Sequence, residues 1–144
     1  MVPQVEMLSR NGVPVMAHIG FTPQAEHQLG GYRVQGKGED AQRLKDAARA
    51  FEAAGAFAVL IEMVPGEVSQ EITAALSIPT VGIGAGAGCD AQVLVWQDMA
   101  GLRTGRLPRF VKQYAKLDAV LFDAARAFSR DVEVGDFPGS VHTF

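Results

Sequence analysis

The chain has a single cysteine, Cys89, in 144 residues. That excludes an internal disulfide framework and a thiolate zinc cage. It suits a reducing compartment, so the cytoplasm is the expected location. Basic residues are few: 13 Lys and Arg stand against 16 Asp and Glu, for a net charge of −3. With no basic stripe, nucleic acid and anionic membrane surfaces are poor partners. No apolar run approaches the ~20 residues of a membrane helix. The first twelve residues include Gln4, Glu6, Arg10 and Asn11, without the apolar stretch of a signal peptide. There is no low-complexity segment and no linker, so residues 1–144 are expected to form one domain.

What is present is an ordinary globular composition, 48% hydrophobic and 20% charged, in a length that can bury roughly two thirds of its unfolded surface. Glycine is plentiful, 16 residues, above the usual ~7%. Short apolar runs alternate with helical patterns. Residues 1–10 read as the tail of a helix closed by Asn11 and Gly12. Residues 13–19 (VPVMAHI) read as a buried strand, followed by a glycine-rich loop. A helix is expected from Glu39 to about Ala54, ended by Gly55. Residues 57–63 (FAVLIEM) are apolar almost throughout, as a parallel strand covered on both faces requires. A helix over 67–76, a strand over 78–83 ending in GIGAGAG, and a strand over 92–96 follow. Pro108 suits the first turn of a helix over 109–116. A longer helix over 117–134 carries Val120, Leu121, Ala124, Ala125, Phe128 and Val132 on one face, and 135–144 reads as an irregular tail.

This alternation means a parallel α/β sheet. Two closures compete: an open doubly wound sheet, and part of a (β/α)8 barrel, which takes about 250 residues. The chain opens partway through a helix, which reads as a cut rather than a beginning.

In parallel α/β folds ligands bind at the carboxyl ends of strands. His18, Glu62, the 84–88 loop with Asp90, and Asp98 are expected there. Glu62 follows five apolar residues, so partial desolvation should raise its pKa toward what a general base at neutral pH needs. A buried Glu paired for structural reasons is the alternative. His18 could hydrogen-bond a substrate carboxylate or carbonyl; for a lone histidine, a satisfied core position is the default. His27 and His142 have no zinc-like spacing with it. The glycine run at 82–88 half fits a dinucleotide motif, but that motif must open a helix, and here the chain enters another strand. The run is therefore read as a close backbone approach, and Cys89 within it as inert.

The motifs HIGFTPQ at 18–24, GGYRVQGKG at 30–38, LIEMVP at 60–65, IPTVGIGAG at 78–86 and QVLVWQDMAG at 92–101, with HTF at 142–144, closely resemble the ketopantoate hydroxymethyltransferase family. The resemblance spans nearly the whole chain. It implies a (β/α)8 barrel in a decamer that transfers a hydroxymethyl group from 5,10-methylenetetrahydrofolate to 3-methyl-2-oxobutanoate, with magnesium chelating the keto acid. By motif, Glu62 matches the family's proton acceptor and His18 its substrate-contacting histidine. The family's metal-binding aspartates and glutamate, and its substrate lysine, precede the segment matching Val2. The resemblance thus implies strands five to eight of the barrel, a half-barrel with C-terminal helices and no metal ligand in this chain. Ala91 stands where the family usually has Gly, and Gly66 where it often has a side chain. Two hypotheses follow: a segment of that enzyme, or a non-catalytic unit that self-associates to cover its sheet edges. Another enzyme of the wider pyruvate-binding barrel group is a weaker alternative.

Overall fold

A computed structural model describes all residues, 1–144. They form two compact units, residues 1–93 and residues 94–144. The first unit runs α1 (Val2–Arg10), β1 (Met16–Gly20), α2 (Asp40–Ala53), β2 (Ala58–Glu62), α3 (Gly66–Ala75), β3 (Thr80–Ile83) and β4 (Ala91–Gln92). All strand pairs are parallel, and the order in the sheet is β1-β2-β3-β4. A doubly wound sheet would reverse its strand order at a switch point and carry helices on both faces. Here chain order equals sheet order, the progression of a barrel wall.

The reason lies in the alternation along each strand. Ile19, Val59 and Ile61 form one core cluster with Leu44 and Ala48 of α2 and with Val68 and Ile72 of α3. Side chains two apart share a face, so Met16, His18, Leu60 and Glu62 project from the opposite face. Burying each large aliphatic side chain contributes about 1.5–3 kcal/mol. A second cluster, Val5, Ala17, Ala54 and Ala56, ties α1 to the ends of β1 and α2. The Lys45–Glu71 ion pair links α2 to α3 at the surface, where such pairs contribute little. Gly12 and Gly55, which follow α1 and α2, both adopt positive φ, as the helix-stop signals require.

The fourth strand is shorter than the expected 92–96. Its ladder matches Val81 with Ala91 and Gly82 with Gln92, and Val93 N–H still reaches Gly82 O at 3.0 Å. Beyond that point Gly84 and Gly86 take positive φ, which turns the chain away and leaves nothing to pair with. Trp96 instead opens a single helical turn, α4 (Trp96–Met99), in the second unit.

The expected helix over 109–116 does not form. One turn closes at Pro108, with Val111 N–H donating to Pro108 O. The following amides are spent on α4: Tyr114 N–H donates to Met99 O at 2.8 Å, and Leu117 N–H to Ala100 O at 3.0 Å. So short a stretch is a marginal helix on its own, and the clasp outcompetes it. Gly101 permits the clasp, since a Cβ there would lie 2.2 Å from Ala115 O. α5 (Leu117–Val134) forms as its pattern predicts, ending at Gly135 with φ +80°. Its apolar face, including Val120, Leu121, Phe128 and Val132, is exposed. The tail contains one 3-10 turn at Ser140–His142. No helix is long and apolar enough to cross a membrane.

Candidate active site

Glu62 is the last residue of β2, and Gly20, the last of β1, is its register partner. His18 sits two residues before Gly20, so the imidazole and the carboxylate share the face that carries no helix. His18 Nε2 and Glu62 Oε2 lie 3.2 Å apart. The imidazole nitrogen is buried, yet its N–H is not aligned for a hydrogen bond to the carboxylate. The pair is therefore close but under-bonded. A buried polar atom without an aligned partner is costly.

Glu62 as a residue is only 8% exposed. Burial raises its carboxyl above the ordinary glutamate range, and the neighbouring imidazole pulls it partway back. Desolvation outweighing a single partner is the condition that tunes a carboxylate toward base chemistry near neutral pH.

The backbone around Glu62 is fixed on three sides. Phe21 N–H donates to Glu62 O at 2.8 Å, Met63 N–H to Ile83 O at 2.9 Å, and Gln35 N–H to Met63 O at 2.9 Å. Phe21 is fully buried, with the Tyr32 ring 4.5 Å from its own. The 21–38 loop is thus attached to the segment that carries the carboxylate. Sequence reasoning missed Gly20 and Met63. Gly20 has no room for a side chain, as a Cβ would lie 2.2 Å from Glu62 O. Met63 has a positive φ of 51°, for which a methionine gives no signal in sequence.

Asp90 does not join the pair. Its Oδ2 accepts hydrogen bonds from Thr80 N–H at 2.8 Å and Thr80 Oγ1 at 2.9 Å, and Thr80 begins β3. Asp90 therefore closes the amino edge of the sheet, opposite to where sequence placed it. The cause is the reversal at Gly84 and Gly86, which returns the chain along β3 before β4 starts. The Thr80 hydrogen bonds hold its carboxyl below the usual aspartate range. Asp98 lies in α4, buried, 3.7 Å from Arg103 Nη1. The glycine run is a packing device. A Cβ on Gly86 would lie 2.9 Å from Gly66 Cα and one on Gly88 2.8 Å from Gln70 Cβ, both in α3, while Ser69 Oγ donates to Ala85 O. Cys89 Sγ packs beside Gly82. No helix follows the run, so no dinucleotide phosphate site is built there.

The donors do not fit magnesium. That ion asks for near-octahedral oxygen coordination, and no cluster of three or more acidic, histidine or cysteine side chains exists. Glu62 stands as a lone carboxylate beside a nitrogen, and Asp90 is consumed at the other edge.

What these features define is a class: a parallel β/α sheet whose strand order follows the chain, as in a barrel wall, with a close carboxylate–imidazole pair at its carboxyl edge. The family model for ketopantoate hydroxymethyltransferase matches residues 1–140. The chain belongs to that family. A protein of Nocardioides sp. (strain ATCC BAA-499 / JS614) named 3-methyl-2-oxobutanoate hydroxymethyltransferase is 66% identical over 144 residues, covering 100% of this chain and 49% of the relative. One of the same name from Paenarthrobacter aurescens (strain TC1) is 62% identical over 140 residues, covering 97% of the chain and 46% of the relative. The chain thus spans about half the length of the curated relatives it matches.

Proposed function

We propose that this chain is the proton-abstracting portion of a hydroxymethyl transfer from 5,10-methylenetetrahydrofolate to 3-methyl-2-oxobutanoate, with Glu62 as the base. The observation that carries this reading is the desolvated Glu62 carboxylate, 3.2 Å from a buried His18 nitrogen that lacks an aligned partner. A keto acid with its C3 hydrogen toward Glu62 Oε2 could accept the His18 N–H through a carboxylate or keto oxygen. That would supply the alignment the imidazole lacks. Loss of the proton to Glu62 leaves an enolate. Water hydrolyses the methylene bridge, breaking both of its C–N bonds and releasing tetrahydrofolate and a formaldehyde equivalent. C3 bonds to that carbon as its C=O π bond opens, and the resulting alkoxide takes up a proton to become the hydroxymethyl group. The burial that raises the Glu62 pKa makes proton transfer less uphill.

The family resemblance adds magnesium to this chemistry, but the residues here do not fit it, and no step of the proton transfer just described is assigned to it. In this proposal the chain supplies strands five to eight of a barrel, and the remaining half brings the metal. The sheet face opposite α2 and α3 and the unpaired outer edges of β1 and β4 support association with further copies or with that other half. A self-associating unit without catalysis is the second reading, and the same open edges favour it.

The test is hydrogen exchange at C3. A chimera placing these 144 residues in the Nocardioides relative should exchange solvent deuterium into 3-methyl-2-oxobutanoate without folate, and Glu62→Gln should abolish most of that exchange. Exchange at the parent rate in Glu62→Gln would make the carboxylate structural.

A further inference from the structure

We infer that the left-handed backbone at Met63, together with the close approach of Gly20 to the flanking Glu62 and Val64, positions the Glu62 carboxylate beside His18, and that Met63 and Gly20 are positioning residues of the site. The inference rests on reading Glu62 as the base.

Positive φ is uncommon for a residue with a Cβ. Where it occurs, the surroundings must over-determine it, and such positions gather at functional sites. At Met63, with φ 51°, the surroundings are explicit. Its N–H donates to Ile83 O and its carbonyl accepts from Gln35 N–H, both at 2.9 Å. One residue earlier, Glu62 O accepts from Phe21 N–H at 2.8 Å. The left-handed residue ends the ladder abruptly, so the strand terminates with Glu62 still in register against Gly20.

Gly20 completes the arrangement. Its own φ is +87°, and a Cβ would stand 2.2 Å from Glu62 O and 2.7 Å from Val64 Cγ2. The two backbones therefore approach more closely than any side chain allows. That proximity sets where the Glu62 side chain leaves the strand relative to His18, two residues before Gly20. Val64 is buried in the core, so the segment is anchored beyond the strained residue as well. Neither the Met63 side chain nor Gly20 offers a group to a substrate; both act through the position of Glu62.

The experiment separates backbone from side chain. Asn adopts the left-handed region readily, whereas β-branched Val and Thr resist it. Met63→Asn should keep the C3 exchange rate of the chimera within about threefold, while Met63→Val should lose about 10²-fold, the scale of an ångström misplacement, in kcat rather than KM. A readout independent of turnover is the ¹³C titration of the Glu62 carboxyl in the 144-residue chain. The midpoint should stay above the ordinary glutamate range in Met63→Asn and fall toward it in Met63→Val. Equal loss in both variants would assign the effect to the methionine side chain, and no loss in Met63→Val would remove the role; either overturns the inference. Met63→Thr replaces Met63→Val if the latter does not fold. If neither β-branched variant folds while Met63→Asn does, the left-handed turn serves folding and not positioning, which also overturns it. Loss of exchange in Glu62→Gln with none in Met63→Val defeats the positioning claim alone. Undiminished exchange in Glu62→Gln defeats the base reading itself.

Discussion

The two edges of the sheet each hold a carboxylate, and the two are treated in opposite ways. At the amino edge, Asp90 accepts from the Thr80 amide and hydroxyl on one oxygen, and its own N–H donates to Thr80 Oγ1 at 3.2 Å. That hydroxyl is in turn 2.8 Å from Thr73 Oγ1 of α3. At the carboxyl edge, Glu62 is more buried yet has only an unaligned imidazole beside it. One carboxylate is held by hydrogen bonds that lower its pKa; the other has its pKa raised by burial, which the neighbouring imidazole only partly offsets. The contrast teaches that a place at a sheet edge does not by itself set a carboxylate's pKa. What does is the balance between removal from water and compensation by hydrogen bonds.

The largest effect that would break this contrast is kinetic. Glu62→Gln in the chimera is expected to lose about 10²–10⁴-fold in C3 exchange, read by deuterium incorporation, while Asp90→Asn keeps the parent rate. Comparable losses in both would erase the functional distinction between the edges.

Stability should invert the ranking. A carboxylate whose folded pKa is raised contributes stability that is present below its unfolded pKa and is lost as pH rises through the folded value. Glu62 therefore costs stability at neutral pH, and Glu62→Gln should raise the melting temperature there. The gain should shrink as acid protonates the parent. Asp90 is the reverse case. Its lowered pKa contributes stability above the unfolded value near 3.9 that is lost as pH falls through the folded one. Asp90→Asn should lower the neutral melting temperature, with the deficit closing in strong acid. Thermal melts across this range, with parallel shifts in the two variants, would contradict the assignment.

A smaller effect sharpens the amino edge. Thr80→Val removes the hydroxyl shared by Asp90 and Thr73 but keeps the amide donor, and should cost about 1 kcal/mol by denaturant unfolding, with exchange unaffected. The smallest is a null signal: calorimetric titration of the 144-residue chain with micromolar magnesium should release no resolvable heat, because neither edge gathers more than one carboxylate.

The sequence was most legible where local pattern and tertiary demand agreed. The apolar run into Glu62 announced both a buried strand and the carboxylate at its end, and α2 and α5 fell where periodicity and flanking glycines put them. The winding direction was open at that level. It was decided by one-sided packing, in which Ile19, Val59 and Ile61 find helices and their alternates do not. The His18–Glu62 approach depends on the β1–β2 register, which no local signal carries. Asp90 was assigned to the wrong edge because the reversal at Gly84 and Gly86 was read as a close approach alone. It was both, as the contact of Gly86 with Gly66 shows. The 109–116 segment failed for a different reason. Its amides had partners in α4 that outweighed a proline at a favourable position, and a short helix had too little propensity to compete.

Strand order equal to chain order has a consequence for how the sheet is made. Each strand's first partner is the one synthesised just before it, so β2 can dock on β1, and β3 on β2, as they leave the ribosome. Within this sheet no strand waits for a distant partner, and each closure spans at most one β/α unit, the last only a loop, which keeps the entropic cost of every step modest. An order of assembly that follows the chain would leave the newest strand as the open edge for the next to pair with.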